Sequence, residues 1–414
     1  MPDRRHCSNF APRDVHLRRP LSFAQVPGKT KTRCGSAASF PKSVPPKAIL
    51  FMFLVFLLSA FCCAALLLTR PRVLSPARRD DIAAVQASHR RPTQRSGGIA
   101  VFLALAAGAA TLPGDILPAY AALIAAALPL FVVGLLEDIG HPMTPLRRLA
   151  AAAASSLLAT ALLWLWIERV DLAAADALLR FAPVAILFTS FAVVGVVNAF
   201  NLIDGMNGLA SGIGSLTAMG LGLVALHAGQ ADLAQAAFLI AAALLGFLVF
   251  NFPFGAIFLG DSGAYVTGFL LAWMSILLLD RVEEASAWAM LLIFFWPVAD
   301  TFLAMLRRTL AGRRTDQPDR LHFHQFTMRA LEILWLGRQR RFVSNPATSV
   351  VIWVLASAPV LTGVVLWNAP GAAARALGFY ALLFALTYIL GIRMLKRPKR
   401  IAGTSEPVTP GARI

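Results

Sequence analysis

Charged residues are scarce in this chain. Only 14% of its 414 residues are charged, including just 21 acidic side chains, while 58% are hydrophobic and the mean hydropathy is +0.68. A soluble domain usually carries about 25% charged residues. The deficit excludes an ordinary soluble globular domain and indicates an integral membrane protein.

Cysteine is also scarce. The four cysteines are Cys7, Cys34, Cys62 and Cys63, and no two of them form a C-x-x-C pair. Neither a disulfide framework nor a zinc site is therefore expected.

Basic residues, by contrast, are in excess, with 38 Lys and Arg and a formal net charge of +17. No basic helix or aromatic–basic module accompanies them, so nucleic acid is not expected as a partner. In so hydrophobic a chain, this excess indicates membrane topology and contact with anionic lipid headgroups.

Long apolar runs dominate the sequence. A membrane-spanning helix needs about 20 mostly apolar residues, and we count eleven such segments. They are 49–69, 97–112, 117–136, 149–167, 181–198, 208–228, 231–250, 264–280, 286–306, 348–368 and 372–392. We predict an all-α polytopic membrane protein with about eleven transmembrane helices, or ten because the second run is short.

The positive charges predict the orientation of these helices. Of the Lys and Arg after residue 48, 24 fall on one set of alternate connections and only Arg169, Arg180, Arg281 and Arg375 on the other. The richer set comprises 70–96, 137–148, 198–208, 251–263, 307–347 and the tail from 393. Because cytoplasmic loops are enriched in positive charge, we expect these segments to be cytoplasmic.

The first 48 residues break this pattern, because their ten Lys and Arg would lie outside. Their composition favours disorder, and the first apolar run is too long for a signal peptide. We expect 1–48 to be an unstructured extension or a misassigned start, with the native chain beginning near Met52. Sequencing the N-terminus of native protein tests this hypothesis. Residues 49–395 form the predicted transmembrane domain, and 396–414 a disordered cytoplasmic tail.

The unusual polar groups collect on the predicted cytoplasmic side. They lie in HRRPTQRSGG (89–98), GLLEDIG (134–140), NAFNLIDGMNG (198–208), FLGDSG (258–263) and DRLHFHQ (319–325). Taken singly, each has a structural explanation as a turn, a helix cap or a surface loop. Their shared membrane depth favours a functional site, since carboxylates at membrane depth are costly.

The residue types indicate the chemistry of that site. Carboxylates and an Asn carbonyl are suitable ligands for Mg²⁺ or Mn²⁺, which proteins hold with one or two carboxylates plus substrate phosphates. Nearby arginines and glycine-flanked helix starts can bind phosphate. Together they predict phosphoryl transfer from a diphosphate-containing substrate.

These motifs, over roughly residues 52–395, resemble those of the polyprenyl-phosphate N-acetylhexosamine-1-phosphate transferases, glycosyltransferase family 4. HRRPTQRSGG resembles the family's first loop, GLLEDIG its acidic pair and NAFNLIDGMNG its N-x-x-N-x-x-D-G segment. FLGDSG, PVADT (297–301) and DRLHFHQ resemble three further family motifs in the right order. The short H-x-H form is most similar to the undecaprenyl-phosphate GlcNAc-1-phosphate transferase-like branch.

The resemblance implies transfer of an N-acetylhexosamine-1-phosphate from a UDP-sugar to undecaprenyl phosphate, releasing UMP. This would be the first membrane step of a cell-surface polysaccharide pathway; a homodimer is left open. The implied metal ligands are Asp261 and Asn201, for Mg²⁺ or Mn²⁺. The implied catalytic residues are Glu137, Asp138, Asp204, His322 and His324. The implied substrate-binding residues are His89, Thr93, Arg95, Gly97, Asn198, Asn207, Arg307 and Arg320.

Three positions depart from the family's usual pattern. Glu137 replaces the first Asp of an Asp-Asp pair, Asn207 replaces an Asp, and Gln325 replaces a third His. We therefore expect Asp138 to carry the essential role of the pair, with Asp138→Asn more damaging than Glu137→Gln. For Asp300, both an interhelical hydrogen bond and a role in the site remain open.

Other functions fit the sequence less well. A secondary transporter would place its acids near the bilayer midplane, often within internal repeats, whereas here they lie at loop edges and no repeat is visible. A CDP-alcohol phosphatidyltransferase would need a D-G-x-x-A-R signature, which is missing. A catalytically silent membrane scaffold remains an alternative because of the departures at Glu137 and Asn207.

Overall fold

The structure is a computed structural model that describes residues 45–69, 93–310 and 322–396, all within one compact unit, Pro41–Ile414. His89, Arg320, nearly all of the predicted N-terminal extension and all but the first residue of the predicted tail lie outside the described residues. Every regular element within these ranges is helical. The helices are α1 (Pro46–Thr69), α2 (Gly97–Gly108), α3 (Leu117–Asp138), α4 (Pro145–Leu163), α5 (Ala173–Leu179), α6 (Ala182–Ile203), α7 (Leu209–His227), α8 (Ala231–Asn251), α9 (Gly260–Arg281), α10 (Ala287–Ile293), α11 (Phe295–Leu310), α12 (Phe323–Leu331), α13 (Arg341–Val365) and α14 (Pro370–Lys396).

The predicted all-α membrane architecture is confirmed. Among the described residues, nine helices are long and apolar enough to cross a membrane, or ten if α10 and α11 form one span. That pair is bent by 83°. The break has a local cause, because Pro297 has no N–H to donate to the carbonyl of Ile293 four residues earlier.

The second apolar run forms only α2 and a 3₁₀ turn, Ala109–Thr111, and is too short to count as a span by length. The alternation of helix direction nevertheless survives. Helix α3 is 22 residues, about 33 Å, long and ends beside the start of α2, so α2 and the turn carry the chain to the opposite end of the bundle.

The bundle has a protein-enclosed centre and a lipid-facing periphery. Helices α7, α8 and α9 are buried along most of their length, whereas α1 and α14 are mostly exposed. Small residues permit this close packing in the centre, as in the α7 sequence LASGIGSLTAMGLG. Helix α9 packs against both α3 and α6, which brings the ends of three polar-tipped helices together.

Backbone contacts join the motif loops at that end. The segment 94–98 runs alongside 258–259, where Phe258 N–H donates to Gln94 O at 2.9 Å and Gly98 N–H donates to Leu259 O at 2.8 Å. The helices then approach without intervening side chains. A Cβ on Gly134 of α3 would lie 2.5 Å from Ser262 Cα, and a Cβ on Gly98 would overlap the backbone of Gly263.

Candidate active site

The side chain of Asp138, the last residue of α3, accepts hydrogen bonds from the first turn of α9. Its side chain is buried, and its Oδ1 accepts the Asp261 N–H at 2.8 Å. Its Oδ2 accepts the Ser262 N–H at 3.0 Å and the Ser262 hydroxyl at 2.6 Å. The first N–H groups of a helix have no partner within the helix, and an anion there also interacts favourably with the helix dipole. Asp138 therefore caps α9 from a neighbouring helix and fixes the backbone of Asp261.

Gly260 makes this cap sterically feasible. Its φ is +77°, a left-handed conformation that favours glycine. A Cβ at this position would lie 2.6 Å from both carboxylate oxygens of Asp138. A side chain at residue 260 would therefore displace the carboxylate that holds the helix.

Glu137 points into a different environment from that of Asp138. It forms an ion pair with Arg148, in the first turn of α4, and Tyr265 Oη donates to its Oε2 at 3.4 Å. Tyr265 lies one helical turn after Asp261 on the same face of α9. The acidic pair is thus divided, because Asp138 binds the start of α9 whereas Glu137 contacts the partly exposed side chain of Arg148 and the buried side chain of Tyr265.

Arg148 and Tyr265 are site neighbours that the sequence analysis did not assign to the site. Arg148 was used there only as a topological charge, although its position just after a Pro at a helix start was a signal for an anion-facing cation. Tyr265 gave no such signal, because its proximity to Glu137 depends on the packing of α3 against α9.

Asp261 lies at the centre of the remaining polar groups. Asn201 Nδ2, at the end of α6, donates to Asp261 Oδ1 at 2.5 Å. Arg95 Nη1 lies 3.8 Å from Asp261 Oδ2, with 46% of the arginine side chain exposed. The predicted metal ligands, Asp261 and Asn201, are therefore adjacent in the structure.

Asp204 follows α6 and joins the same cluster. Its burial, and next the neighbouring Asp261 carboxylate, raise the pKa of Asp204 to about 7, while Arg95 and the Gly260 N–H act in the opposite direction. Burial and the second carboxylate nearby both disfavour the ionised form of Asp204.

This donor set fits a divalent cation held largely by its substrate. Within the described parts of the chain, no three His, Cys, Asp or Glu side chains form a protein-only metal cage. Asp261 and Asn201 supply one carboxylate and one amide oxygen after rotation of the amide, and Asp204 lies close by. Mg²⁺ is commonly bound by one or two carboxylates together with substrate phosphates, so the residues present fit this ion.

Asn207 connects the turn between α6 and α7 to two other parts of the chain through buried hydrogen bonds. Its Nδ2 donates to Pro253 O at 2.7 Å, and its backbone N–H donates to Asn345 Oδ1 at 2.8 Å. The next backbone N–H, of Gly208, donates to Asn251 Oδ1 at 2.5 Å. A carboxylate at residue 207 could not donate to Pro253, so the amide that departs from the family pattern suits its surroundings here.

The two histidines lie against Asp300 of α11. His324 Nδ1 is 3.3 Å and His322 Nδ1 is 3.5 Å from Asp300 Oδ2. All three side chains are almost fully buried. A Cβ on Gly205 would lie 3.4 Å from His324 Nε2, so the histidine pair adjoins the turn that carries Asp204.

The other predicted substrate-binding residues are placed unevenly. Asn198 lies one turn before Asn201 on the same face of α6 and is partly buried, and Thr93 is partly buried at the start of a described segment. Gly97 donates its N–H to Phe258 O at 2.9 Å. Arg307 donates to the Tyr388 hydroxyl and lies 5.8 Å from the centre of that ring, toward α14.

A multi-pass bundle that gathers carboxylates, amides, arginines and histidines at one end defines a membrane-embedded enzyme of phosphate chemistry. A sequence model described as "Glycosyl transferase family 4" matches residues 120–279, which include Glu137, Asp138, Asn201, Asp204 and Asp261. The chain belongs to this family of polyprenyl-phosphate sugar-1-phosphate transferases. The predicted family is thereby confirmed, and a transporter is no longer a competing interpretation.

Similar proteins from three bacteria support this membership. The chain is 30% identical over 298 residues to the decaprenyl-phosphate N-acetylglucosaminephosphotransferase of Mycobacterium tuberculosis (strain CDC 1551 / Oshkosh), covering 64% of this chain and 70% of that protein. It is 28% identical over 244 residues, 58% of this chain and 67% of the relative, to a probable undecaprenyl-phosphate N-acetylglucosaminyl 1-phosphate transferase of Bacillus subtilis (strain 168). It is 31% identical over 153 residues, 36% of this chain and 42% of the relative, to an undecaprenyl-phosphate alpha-N-acetylglucosaminyl 1-phosphate transferase of Escherichia coli (strain K12).

Proposed function

We propose that this protein transfers an N-acetylhexosamine-1-phosphate from a UDP-sugar to undecaprenyl phosphate, giving undecaprenyl-diphospho-sugar and UMP. The placement of Asp261 carries the proposal. Its backbone is held by Asp138, its side chain by Asn201, and Arg95 lies beside it at the end of the bundle. Phosphoryl transfer depends mainly on such positioning and on neutralisation of charge.

The proposed metal is Mg²⁺, with Mn²⁺ as the alternative, held by Asp261 and Asn201. When bound, the ion would neutralise charge on the diphosphate. Asp204, whose carboxyl lies near that of Asp261, would face the nucleotide end of the donor. Asn198 would lie beside it, on the neighbouring turn of α6. Asn207 would stabilise this turn through its buried hydrogen bonds rather than bind the donor.

Glu137 and Arg148 form the proposed site for the acceptor phosphate. A lipid phosphate oxygen would attack the β-phosphorus of the UDP-sugar, forming one P–O bond. The bond from that phosphorus to the bridging oxygen breaks, and UMP leaves with the electron pair. Arg148 would orient the acceptor phosphate, and Glu137 would take up a proton from the acceptor.

The relatives' names make GlcNAc the first donor sugar to test and leave two acceptor lengths to compare. The site is proposed to face the cytoplasm, supported by the charge bias of the connections. A bacterial inner-membrane location follows from the same proposal.

The deciding experiment uses purified full-length protein with Mg²⁺, undecaprenyl or decaprenyl phosphate, and a panel of UDP-N-acetylhexosamines. UMP release that requires the lipid supports the proposal and identifies the sugar. Glu284→Gln provides a matched control, because it removes one exposed carboxylate just past the C-terminal end of α9, the end opposite Asp261, and should leave the rate unchanged. If intact acceptors yield no UMP with any donor, a catalytically silent scaffold becomes the better account.

A further inference from the structure

Asp300 lies in α11 and had two open interpretations from sequence. We propose that Asp300 is a positioning residue that fixes the orientation and tautomer of His324, so that His324 presents Nε2 to the turn at Asp204 and Gly205. The role of that turn in binding the donor rests on the proposed function, whereas the arrangement of Asp300 and the histidines can be tested without it.

The burial of Asp300 requires donors around it. Only 1% of this residue is exposed, and a carboxylate removed from water is costly unless it is paired or hydrogen-bonded. Its Oδ1 accepts the N–H of Phe323, the first residue of α12, at 2.8 Å. The imidazoles of His322 and His324 are the groups that meet its other oxygen.

The contact at Oδ2 determines the tautomer of His324. An ionised carboxylate accepts hydrogen bonds and does not donate them. The hydrogen bond of 3.3 Å between His324 Nδ1 and Asp300 Oδ2 therefore requires the proton to be on Nδ1. The hydrogen bond at one ring nitrogen sets the state of the other, so Nε2 is the nitrogen left for a further partner.

His324 Nε2 faces the polar turn between α6 and α7. The position that a Cβ of Gly205 would occupy lies 3.4 Å from this nitrogen. The preceding residue, Asp204, is close enough to Asp261 and to the Gly260 N–H for both to shift its pKa. Asp300 is thus connected through one imidazole to the group of side chains proposed to bind the donor.

His322 reinforces the arrangement. Its ring lies nearly parallel to that of His324, at an interplanar angle of 14° and a centroid distance of 5.5 Å. It is 3% exposed, and within the described part of the chain neither ring nitrogen has a hydrogen bond of good geometry. Buried polar groups are nearly always satisfied, so this ring is held for a purpose other than packing.

A residue that only capped α12 would need fewer hydrogen-bond acceptors than Asp300 has. One acceptor oxygen suffices for the Phe323 N–H, and an Asn side chain would supply it. Among the described residues, the second oxygen of Asp300 has polar contacts with the two imidazoles alone. The substitution Asp300→Asn therefore separates the two roles, because it keeps one acceptor for α12 and replaces the other with an NH₂ donor.

The test combines kinetics with ¹⁵N-histidine NMR of the full-length protein, which has only seven histidines. Spectra of His322→Gln and His324→Gln assign the two signals. Wild-type protein should show Nδ1–H on His324, and Asp300→Asn should shift it to Nε2–H. Loss of one preorganised contact at a charged substrate should lower kcat about 100-fold, with little change in the KM for the UDP-sugar.

A matched control is Glu332→Gln, which neutralises a buried carboxylate beyond the end of α12 whose partners are Arg341 and Ser344. It should leave kcat and both histidine signals unchanged. Combining Asp300→Asn with His324→Gln should be no slower than His324→Gln alone, because the aspartate acts through that imidazole.

Several results would overturn the proposal. Nε2–H on His324 in the wild-type spectrum would do so even if Asp300→Asn fails to accumulate. An unchanged tautomer in the variant, or a further rate loss in the double variant, would do so as well. If wild-type protein releases no UMP, the proposed function fails, while the NMR result still decides the role of Asp300.

Discussion

Substituting the two members of the acidic pair separately should give different kinds of damage. Asp138 accepts three hydrogen bonds from Asp261 and Ser262 at the start of α9. In Asp138→Asn, one oxygen remains and an NH₂ group is turned toward a buried donor. A hydrogen bond to a charged group contributes about 1.5–3 kcal/mol, and one or two of the three are lost. We therefore expect the free energy of unfolding to fall by about 1.5–6 kcal/mol, together with a large loss of turnover because Asp261 loses its support.

Glu137→Gln should behave differently, because Glu137 pairs with the partly exposed side chain of Arg148 and accepts one long hydrogen bond from Tyr265, and binds no backbone N–H of α9. We expect little change in thermal stability and a lower kcat. This expected order of damage is the same as the order predicted from sequence. The reason differs, because Asp138 is now expected to act by positioning Asp261.

The assay pairs UMP release with thermal unfolding of the detergent-solubilised protein, monitored by intrinsic fluorescence. Ser262→Ala is the graded control, since it removes only one of the three bonds and should cost about 1.5–3 kcal/mol. The reasoning is refuted if Asp138→Asn unfolds at the wild-type temperature while turnover is abolished, because Asp138 would then take part directly in the chemistry.

Three further changes test other parts of the site. Asp261→Asn should abolish UMP release while leaving the unfolding temperature near that of wild type; normal turnover at ordinary Mg²⁺ would remove Asp261 from the metal site. Asn207→Asp should destabilise the protein by about 1–3 kcal/mol, since a carboxylate would face the Pro253 carbonyl without a proton to donate; unfolding at the wild-type temperature would show that this hydrogen bond is dispensable. Arg148→Met should raise the KM for the lipid phosphate at least tenfold with a smaller effect on the KM for the UDP-sugar, and the opposite pattern would assign Arg148 to the donor.

Much of the fold could be predicted from sequence because membrane insertion depends on local hydrophobicity. Every one of the eleven apolar runs is helical in the structure. The length rule failed for α2, whose 12 residues continue as a 3₁₀ turn. It also gave no warning of the bend before Pro297, because mean hydropathy does not register a missing N–H.

The site was harder to predict, because its chemistry depends on contacts between distant segments. Asp138 and Ser262 are 124 residues apart, and no local pattern indicates that one caps the helix of the other. The pairing of Asn201 with Asp261 was anticipated only through the family resemblance. Asp300 remained open because a single buried aspartate looks the same in sequence whether it supports a helix or an imidazole.

The glycine contacts between α2, α3 and α9 affect how the enzyme can adapt to different substrates. The surface beneath Asp261, here called the floor of the site, consists of main-chain atoms at Gly98, Gly134 and Gly263. Main-chain atoms cannot adopt alternative rotamers. Adjustment to a new sugar or lipid must therefore come from the rim, where Arg95 and Glu137 carry long side chains. Attempts to alter substrate preference should accordingly randomise rim positions and leave the glycine-lined floor intact.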